Sequence, residues 1–580
     1  MDAEKLREMA SAWLAEDPDP ETREELEDIL GKGDEAALAD RFGGRLEFGT
    51  AGLRGLIGAG PNRMNRSVVI RTTAGLAAYL LEHVPDAKER GVVVGYDGRR
   101  LSDAAKDDVA AVLAGHGILA RVFSDVAPTP LTAFAVSHLG AAGGVMVTAS
   151  HNPAAYNGYK VYWGNGAQIV PPHDRGIAEA IEGVGELASI PRMSEDEARR
   201  LGLREDLGDE TIAAYLERVR ALSLGGGGRD RVRIAYTAMH GVGGALALRA
   251  LSAFGFADVH VVRAQMEPDP AFPTVEFPNP EEEGTLDLAL ELAEETSAGL
   301  VLANDPDADR LAVAVRGKDG AMHTLTGNEI GALLASHLIE DDPAKGDRLV
   351  ITTIVSTPMV GEIARASGVR YEEVLTGFKW IANRAMELEA ATGTRFVLGF
   401  EEALGYSVDA VCRDKDGVSA AAVFAELAAR AAAEGGGVLD RLEALYRRFG
   451  LHRSRQQGFT APGAEGHAKI ERTMARLRSE PPERIGGARV VGIRDYHTGT
   501  ATRADGTQTK LTLPRSNVLA FDLEGDSRVI ARPSGTEPKI KFYFDVREPV
   551  AASETLEAAR ERAEERIDRL AGDFAALASS

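Results

Sequence analysis

Three aspartates at alternate positions, Asp305, Asp307 and Asp309, lie in the run Asn304-Asp305-Pro306-Asp307-Ala308-Asp309-Arg310. The run follows directly on the apolar stretch Gly299-Leu300-Val301-Leu302-Ala303. Carboxylates crowded at the end of a buried strand repel one another unless a cation sits among them, and a proline-stiffened set of oxygens suits Mg2+. A solvated acidic turn is the competing reading. A calcium loop of the EF-hand type is excluded, because the positions that need glycine and glutamate are filled by Arg310 and Arg316.

A second group of reactive side chains lies in Thr148-Ala149-Ser150-His151-Asn152-Pro153, after the apolar run Val145-Met146-Val147. Pro153 lacks an N–H and restricts Asn152, so the strand ends here in a polar turn. The Ser150 hydroxyl stands beside the His151 imidazole, and an amine, Lys160, follows within the same stretch. Ser150 would be the working atom, with the others moving protons or holding charge. A proline turn with a capping serine explains the same residues without chemistry. An acyl-transfer hydrolase is disfavoured: no G-x-S-x-G surrounds Ser150, and a cation cage has no part in that reaction.

Five further loops carry groups suited to phosphate or sugar. Phe48-Gly49-Thr50-Ala51-Gly52-Leu53-Arg54-Gly55 sets an arginine among glycines that let backbone approach a ligand. Asp97-Gly98-Arg99-Arg100 and Thr376-Gly377-Phe378-Lys379-Trp380 add cationic groups at strand exits or in loops. Gly399-Phe400-Glu401-Glu402-Ala403-Leu404-Gly405-Tyr406 pairs two carboxylates that suit sugar hydroxyls, or else cap a following helix. Arg532-Pro533-Ser534-Gly535-Thr536-Glu537-Pro538-Lys539 gathers several donors about one turn, as a phosphate nest does. Serine, metal cage, arginines and nest together are the parts of phosphoryl transfer.

The elements that position these groups alternate. Val92–Tyr96, Ala120–Phe123, Arg233–Thr237, Leu349–Val355 and Arg395–Leu398 read as strands, and Ala104–Ala114 and Ala420–Ala433 as helices, which argues for α/β layers with ligands at the carboxyl ends of the strands. Residues 1–40 form a helical preface, with Leu6, Met9, Ala10, Trp13 and Leu14 on one stripe and a second helix near Thr22–Leu30. The charged stretch Glu195–Arg218 reads as helical, and Gly225–Gly228 as a linker before the loop His240–Gly244. The last segment changes texture: Val518–Leu523 and Lys539–Val546 read as strands, and Leu556, Ala559, Ala563, Ile567 and Leu570 as the stripe of a closing helix.

A chain of 580 residues needs several cores, about three to five domains. Its net charge of −23 disfavours nucleic acid and anionic membrane as partners. The single cysteine, Cys412, excludes an intrachain disulfide and a cysteine metal cluster. The acidic N-terminus has no apolar signal region, and no run approaches a membrane span, so a cytoplasmic protein is expected.

Taken in order, FGTAGLRG at 48–55, TASHNP at 148–153, NGYK at 157–160, DPDADR at 305–310, GFEEALGY at 399–406 and RPSGTEPK at 532–539 resemble the α-D-phosphohexomutases, the phosphoglucomutases and phosphomannomutases. The long preface, PNRMN at 61–65 and YWGNGAQIVPPHD at 162–174 resemble most the branch that contains phosphoglucomutases and phosphopentomutases of similar length. The resemblance implies a heart-shaped enzyme of three related α/β domains and a fourth α+β domain of the TATA-binding-protein-like kind. The expected limits are 1–40 for the preface, then 41–208, 209–323, 324–454 and 455–580. It implies a phosphoserine at Ser150 and Mg2+ ligands at Asp305, Asp307 and Asp309, completed by that phosphoserine. Arg54, His151 and Lys160 would assist proton transfer, with Arg54 first an electrostatic clamp and His151 or Lys160 the acceptor. Arg99 and Arg310 would lie near the phosphoserine. Thr376, Gly377, Lys379 and Glu401 would recognise the sugar, and Arg532, Ser534, Gly535 and Thr536 its other phosphate.

The implied reaction interconverts glucose 1-phosphate and glucose 6-phosphate through a sugar bisphosphate that also serves as activator, in a monomer or weak homodimer. The chain departs from Glu-x-Ser in the sugar loop, where it has Glu401-Glu402-Ala403, so pentose and mannose phosphates stay open as substrates, as does synthesis of the bisphosphate itself. A phosphatase is disfavoured by RPSGTEPK, and a non-catalytic binding protein by the presence of Ser150, Lys160 and all three aspartates.

Overall fold

The computed structural model of the chain describes residues 2–49, 52–344, 346–460, 464–534 and 539–579. They fall into two compact units, Met1–Leu325 with Phe378–Gly399 and Ala403–Gly435, and Thr326–Gly377 with Phe400–Glu402 and Gly436–Ser580.

The first unit opens with the helices Ala3–Glu16, Pro20–Lys32 and Glu35–Phe42, each begun by an aspartate (Asp2, Asp19, Asp34) whose carboxylate accepts a first-turn N–H. The expected stripe, Leu6, Met9, Ala10, Trp13 and Leu14, packs with Leu26, Ile29, Leu38 and Phe42 into a small core.

A six-stranded sheet follows, in the order Leu53–Leu56, Tyr156–Trp163, Gly143–Val147, Val92–Tyr96, Ala120–Phe123 and Arg204–Leu207. Tyr156–Trp163 runs antiparallel to both its neighbours, and the other pairings are parallel. Val92–Tyr96 and Gly143–Val147 are buried at every position, which is why they read as unbroken apolar runs. Glu195–Arg218 is not one helix: Glu195–Arg200 and Asp209–Arg220 are helical, and Arg204–Leu207 between them is an edge strand. Only Leu207 of that strand is buried, so backbone pairing with Ala120–Phe123 makes it a strand without a side-chain pattern.

The second sheet of this unit orders Met322–Thr324, Ala312–Arg316, Leu300–Ala303, Ile234–Thr237 and Val259–Val261. The acidic loop leaves the carboxyl end of its central strand, Leu300–Ala303. The glycines of His240–Gly244 let that loop lie against the acidic one: a Cβ on Gly241 would stand 2.4 Å from Pro306 Cα, and Val242 N donates to Pro306 O at 2.8 Å.

In the second unit, Arg348–Thr353 and Arg370–Val374 pair in parallel. Beyond them lies an eight-stranded sheet in which Leu451–Thr460, Lys539–Glu548, Ser527–Pro533, Leu519–Leu523, Ala488–Asp495, Thr500–Arg503 and Gln508–Lys510 follow one another, with Arg484–Ile485 beside Ala488–Asp495. Its pairings are antiparallel. The closing helix Leu556–Ser579 buries Ala559, Ala563, Ile567 and Leu570, and sets Phe574 edge-on to Phe521, Phe542 and Phe544. Among the described residues, no helix is long and apolar enough to cross a membrane.

Candidate active site

Ser150 sits in the turn between Gly143–Val147 and Tyr156–Trp163, with φ +53°, a left-handed conformation that a serine adopts only when its surroundings impose it. Two contacts impose it here. Ser150 N donates to Thr148 Oγ1 at 2.8 Å, and the Arg99 guanidinium grips the turn's backbone. Arg99 Nη2 donates to the carbonyls of Ser150 (2.6 Å) and Asn152 (2.5 Å), and Nη1 to those of Pro153 (2.9 Å) and Tyr156 (3.2 Å). Its Nε faces Asp97 at 3.3 Å, and the pair is buried. So held, Ser150 Oγ lies 3.1 Å from His151 Nδ1 and donates to Asp305 Oδ2 at 3.2 Å.

The three aspartates converge: one oxygen of each lies within 4.8 Å of the others, and all three residues are buried. Lys160 reaches them because the hairpin register sets it opposite Met146. Its Nζ donates to Asp307 Oδ2 (2.6 Å) and Asp309 Oδ2 (3.0 Å). Thr129 Oγ1 also donates to Asp307 Oδ2, at 2.6 Å, and Lys415 Nζ lies 3.1 Å from Asp309 Oδ2. Asp307 Oδ1 and Asp309 Oδ1 are buried and accept no hydrogen bond from a described residue. Orphaned buried oxygens are costly, and two of them beside a third carboxylate are the donor set of a hard divalent cation. The triad is therefore positioned to hold a metal ion.

The charges at the site separate by role. Burial, then Asp307 and Asp309, push Asp305 well above the ordinary carboxylate range. Burial works the same way on Asp307 and Asp309, yet Lys160 holds Asp307 below that range, and Lys160 with Lys415 does so for Asp309. Burial would strip Lys160 of its proton, but Asp307 and Asp309 outweigh it and raise its pKa. Burial, with Arg310 and Arg54 adding, lowers His151 well below an ordinary histidine. At neutral pH the imidazole is thus able to accept a proton and the lysine is not. Lys160→Met leaves two carboxylates without their cation, and should cost about 3–5 kcal/mol of stability in urea unfolding; a loss under about 1 kcal/mol would show that the pair is not formed.

Of the remaining first-unit residues, Arg54 and Arg310 gather at the same place. Arg54 is exposed on Leu53–Leu56, opposite Gly158, and its Nη1 donates to Asn152 Oδ1 at 3.0 Å. Arg310 N donates to Asp305 Oδ1 at 3.0 Å, while its Nη1 lies 3.3 Å from Glu281 Oε2. Lys379 lies in the first turn of helix Phe378–Thr392.

The second unit holds Thr376, Gly377, Glu401, Arg532 and Ser534. Gly377 N donates to Glu401 Oε1 at 2.9 Å. Glu402 turns away, accepting from Ser356 Oγ (3.1 Å) and Thr353 Oγ1 (3.3 Å). A strand, Gly405–Val408, follows the glutamates in the chain, so they have no following helix to cap. Arg532, on Ser527–Pro533, hydrogen-bonds Tyr543; burial and then Glu402 push that phenol up to about 12 against the pull of Arg532. Ser534 N donates to Lys539 O at 2.7 Å. Gly535 and Thr536 lie outside the described residues.

Thr129 and Lys415 are site residues that motif reading passes over. Lys415 stands in Arg413-Asp414-Lys415-Asp416, charges packed just before an alanine-rich helix, and that crowding is a usable signal. Thr129 follows an unremarkable Pro128 and carries none.

Models of four domains match in sequence: the phosphoglucomutase/phosphomannomutase α/β/α domains I (45–187), II (213–319) and III (326–449), and the C-terminal domain of the same enzymes (500–562). The chain belongs to the phosphoglucomutase/phosphomannomutase family. It has the four-domain architecture of the phosphohexomutases, three α/β domains and a C-terminal domain. It is 39% identical over 560 residues to a probable phosphoribomutase of Schizosaccharomyces pombe, covering 93% of this chain and 94% of that one. It is 35% identical to a phosphoglucomutase of Staphylococcus aureus, covering 88% and 91%. The fold matches a putative phosphomannomutase from Thermus thermophilus with a TM-score of 0.66 at 22% identity, over 93% of this chain and 100% of that one. The chain is a phosphosugar mutase of this family.

Proposed function

We propose that phospho-Ser150 passes its phosphoryl group to a free hydroxyl of a sugar monophosphate and recovers one from the other end of the resulting bisphosphate. The observation that carries this reading is the Ser150 hydroxyl, buried and 3.2 Å from Asp305, one of the three clustered carboxylates. As the new P–O bond forms, the bond to Ser150 Oγ breaks, and the sugar hydroxyl proton goes to the His151 imidazole. The second half reverses these steps after the bisphosphate has turned around. A phosphoserine carries roughly −1.5 to −2 charges, which Arg54, Arg310 and Lys160 offset. Arg99 positions the turn from below, since its donors are engaged by backbone carbonyls. Asp305, Asp307 and Asp309, with Ser150, are the residues that would hold Mg2+, which when bound neutralises charge on phosphoryl oxygens.

Glu401, Thr376, Gly377 and Lys379 are proposed to recognise the sugar, and Arg532, Ser534, Gly535 and Thr536 to grip its other phosphate, supplying pre-paid orientation. The domain limits 41–208, 209–323, 324–454 and 455–580 enclose the four matched segments, which supports them. The proposed partner is a small sugar phosphate, in a cytoplasmic monomer or weak homodimer, and the net charge of −23 disfavours nucleic acid and anionic membrane.

Glucose 1-phosphate to glucose 6-phosphate is the first substrate pair, with the phosphoglucomutase relative in support. A pentose 1-phosphate is the second, supported by the phosphoribomutase relative and by Ala403 where a hydroxyl would read a hexose. The test supplies glucose, mannose and ribose 1-phosphates with Mg2+ and a trace of glucose 1,6-bisphosphate. Conversion of at least one to its terminal phosphate is expected. Faster release of inorganic phosphate than isomerisation would make the chain a phosphatase, and inertness toward all three would end the proposal.

A further inference from the structure

A cavity of about 560 Å3 opens between the N-terminal helices and the first sheet of the same unit, away from the serine and the acidic triad. That volume is within the range that takes one small molecule. Trp13 and Phe42, edge to face with ring centres 6.2 Å apart, form part of its wall, and Phe48 and Leu53 another part. Broad aromatic surfaces of this kind take a flat ring.

The polar groups are unequally satisfied. Arg71 Nη1 donates to Gly185 O at 2.7 Å and its Nη2 lies 3.7 Å from Glu16 Oε2, an oxygen that already accepts from Leu187 N at 3.1 Å. Arg45 is exposed at the cavity and makes no ion pair or hydrogen bond with a described residue. It is close enough to Arg71 that, after burial, its charge helps lower the Arg71 pKa. Glu186 also lines the cavity, exposed, and pairs with neither arginine. Among the described residues, Arg71 thus has one carboxylate partner, Glu16 at 3.7 Å, and Arg45 has none, beside an aromatic wall.

The cavity also touches the neighbours of a paired couple of glycines. Phe48 and Leu53 flank Gly49 and Gly52, whose backbones exchange hydrogen bonds of 3.2 and 2.8 Å. Gly52 has φ +75°, and a Cβ there would collide with Tyr159 O at 1.8 Å, so the Gly52 backbone lies hard against that strand. Leu53 pairs with Tyr159, the neighbour of Lys160, and Arg54 follows it.

We propose that this cavity binds a small organic anion, a flat ring system bearing one sulfonate, carboxylate or phosphate, with Arg45 and Arg71 on the anionic group and Trp13, Phe42 and Phe48 around the ring. Its occupancy stiffens Leu46–Gly49 and Gly52–Leu56, the latter carrying Arg54. The binding stands independently of the sugar-phosphate reading, and its test needs no turnover.

The full chain is titrated calorimetrically with naphthalene-2-sulfonate and with neutral 2-naphthol, and hydrogen–deuterium exchange is followed with and without saturating sulfonate. One site is expected, at least about tenfold tighter for the sulfonate, with slowed exchange across Leu46–Gly49 and Gly52–Leu56. Arg45→Glu, a surface change that leaves the core untouched, should bring the two ligands to within about threefold of each other, whereas Arg45→Lys keeps the preference. Equal affinity for the two ligands in the unaltered chain, an unchanged preference in Arg45→Glu, or no saturable binding at millimolar probe would overturn the site. Normal binding with unaltered exchange across Leu46–Gly49 and Gly52–Leu56 would overturn the stiffening.

Discussion

Ser150→Ala should lower mutase turnover by about 10^4-fold or more, the scale seen when a covalent carrier is removed. Among the described residues, no nearby hydroxyl is placed to take over. Thr148 Oγ1 is engaged by the Ser150 amide, and Thr129 Oγ1 is bonded to Asp307. The substitution removes one hydroxyl and leaves the Arg99 grip on the turn, so the circular dichroism and urea midpoint should hold within about 0.5 kcal/mol. Ser150→Thr sharpens the test. It keeps a hydroxyl, but a β-branched residue is strongly disfavoured at φ +53°, so its activity should also collapse. Turnover by Ser150→Ala within tenfold of the unaltered chain would end the phosphoserine mechanism. Failure to recover phosphate on Ser150 after incubation with the sugar bisphosphate would do the same.

Removing the divalent ion by chelation should abolish turnover, and Mg2+ should restore it. Asp307→Asn, which keeps the shape and loses the charge, should reduce turnover by about 10^3-fold at any Mg2+ concentration. The same site gives a readout free of catalysis. Three buried carboxylates destabilise the cage when it is empty, and an ion that binds only the folded chain adds about 2.7 kcal/mol at a concentration a hundred times its Kd. The melting temperature of the unaltered chain should therefore rise with Mg2+, and that of Asp307→Asn should not. A melting curve indifferent to divalent ions would show that the orphaned oxygens of Asp307 and Asp309 have some other purpose.

Much of this site was legible before any coordinates, for a physical reason. Strands buried on both faces advertise themselves as apolar runs, so Val92–Tyr96 and Ala120–Phe123 were delimited by sequence to the residue, and the polar groups at their ends stood out by contrast. The three aspartates are adjacent in sequence, and their repulsion is itself the clue. What stayed hidden depends on contacts between distant segments. Arg99 reads like any phosphate-binding arginine, and only the path of the turn beneath Ser150 shows its donors engaged by four carbonyls. Glu401 and Glu402 look equivalent, yet Glu401 meets the Gly377 amide and Glu402 turns to Thr353 and Ser356. Lys160 read as a proton shuttle until the hairpin register placed it between two carboxylates that keep it charged.

Lys415, the second amine on the acidic loop, belongs to Ala403–Gly435, a late segment that folds into the first unit. The same segment supplies Leu404 O to Leu311 N (3.1 Å) and Gly417 N to Ala308 O (3.1 Å), so it also closes the loop's backbone. On the ribosome these partners emerge roughly a hundred residues after Asp309, a wait on the order of 5 to 20 s at ordinary rates of synthesis. Over that interval the nascent loop has its three negative charges and only one of its two lysines. A fragment ending at Leu325 would remain in that condition permanently.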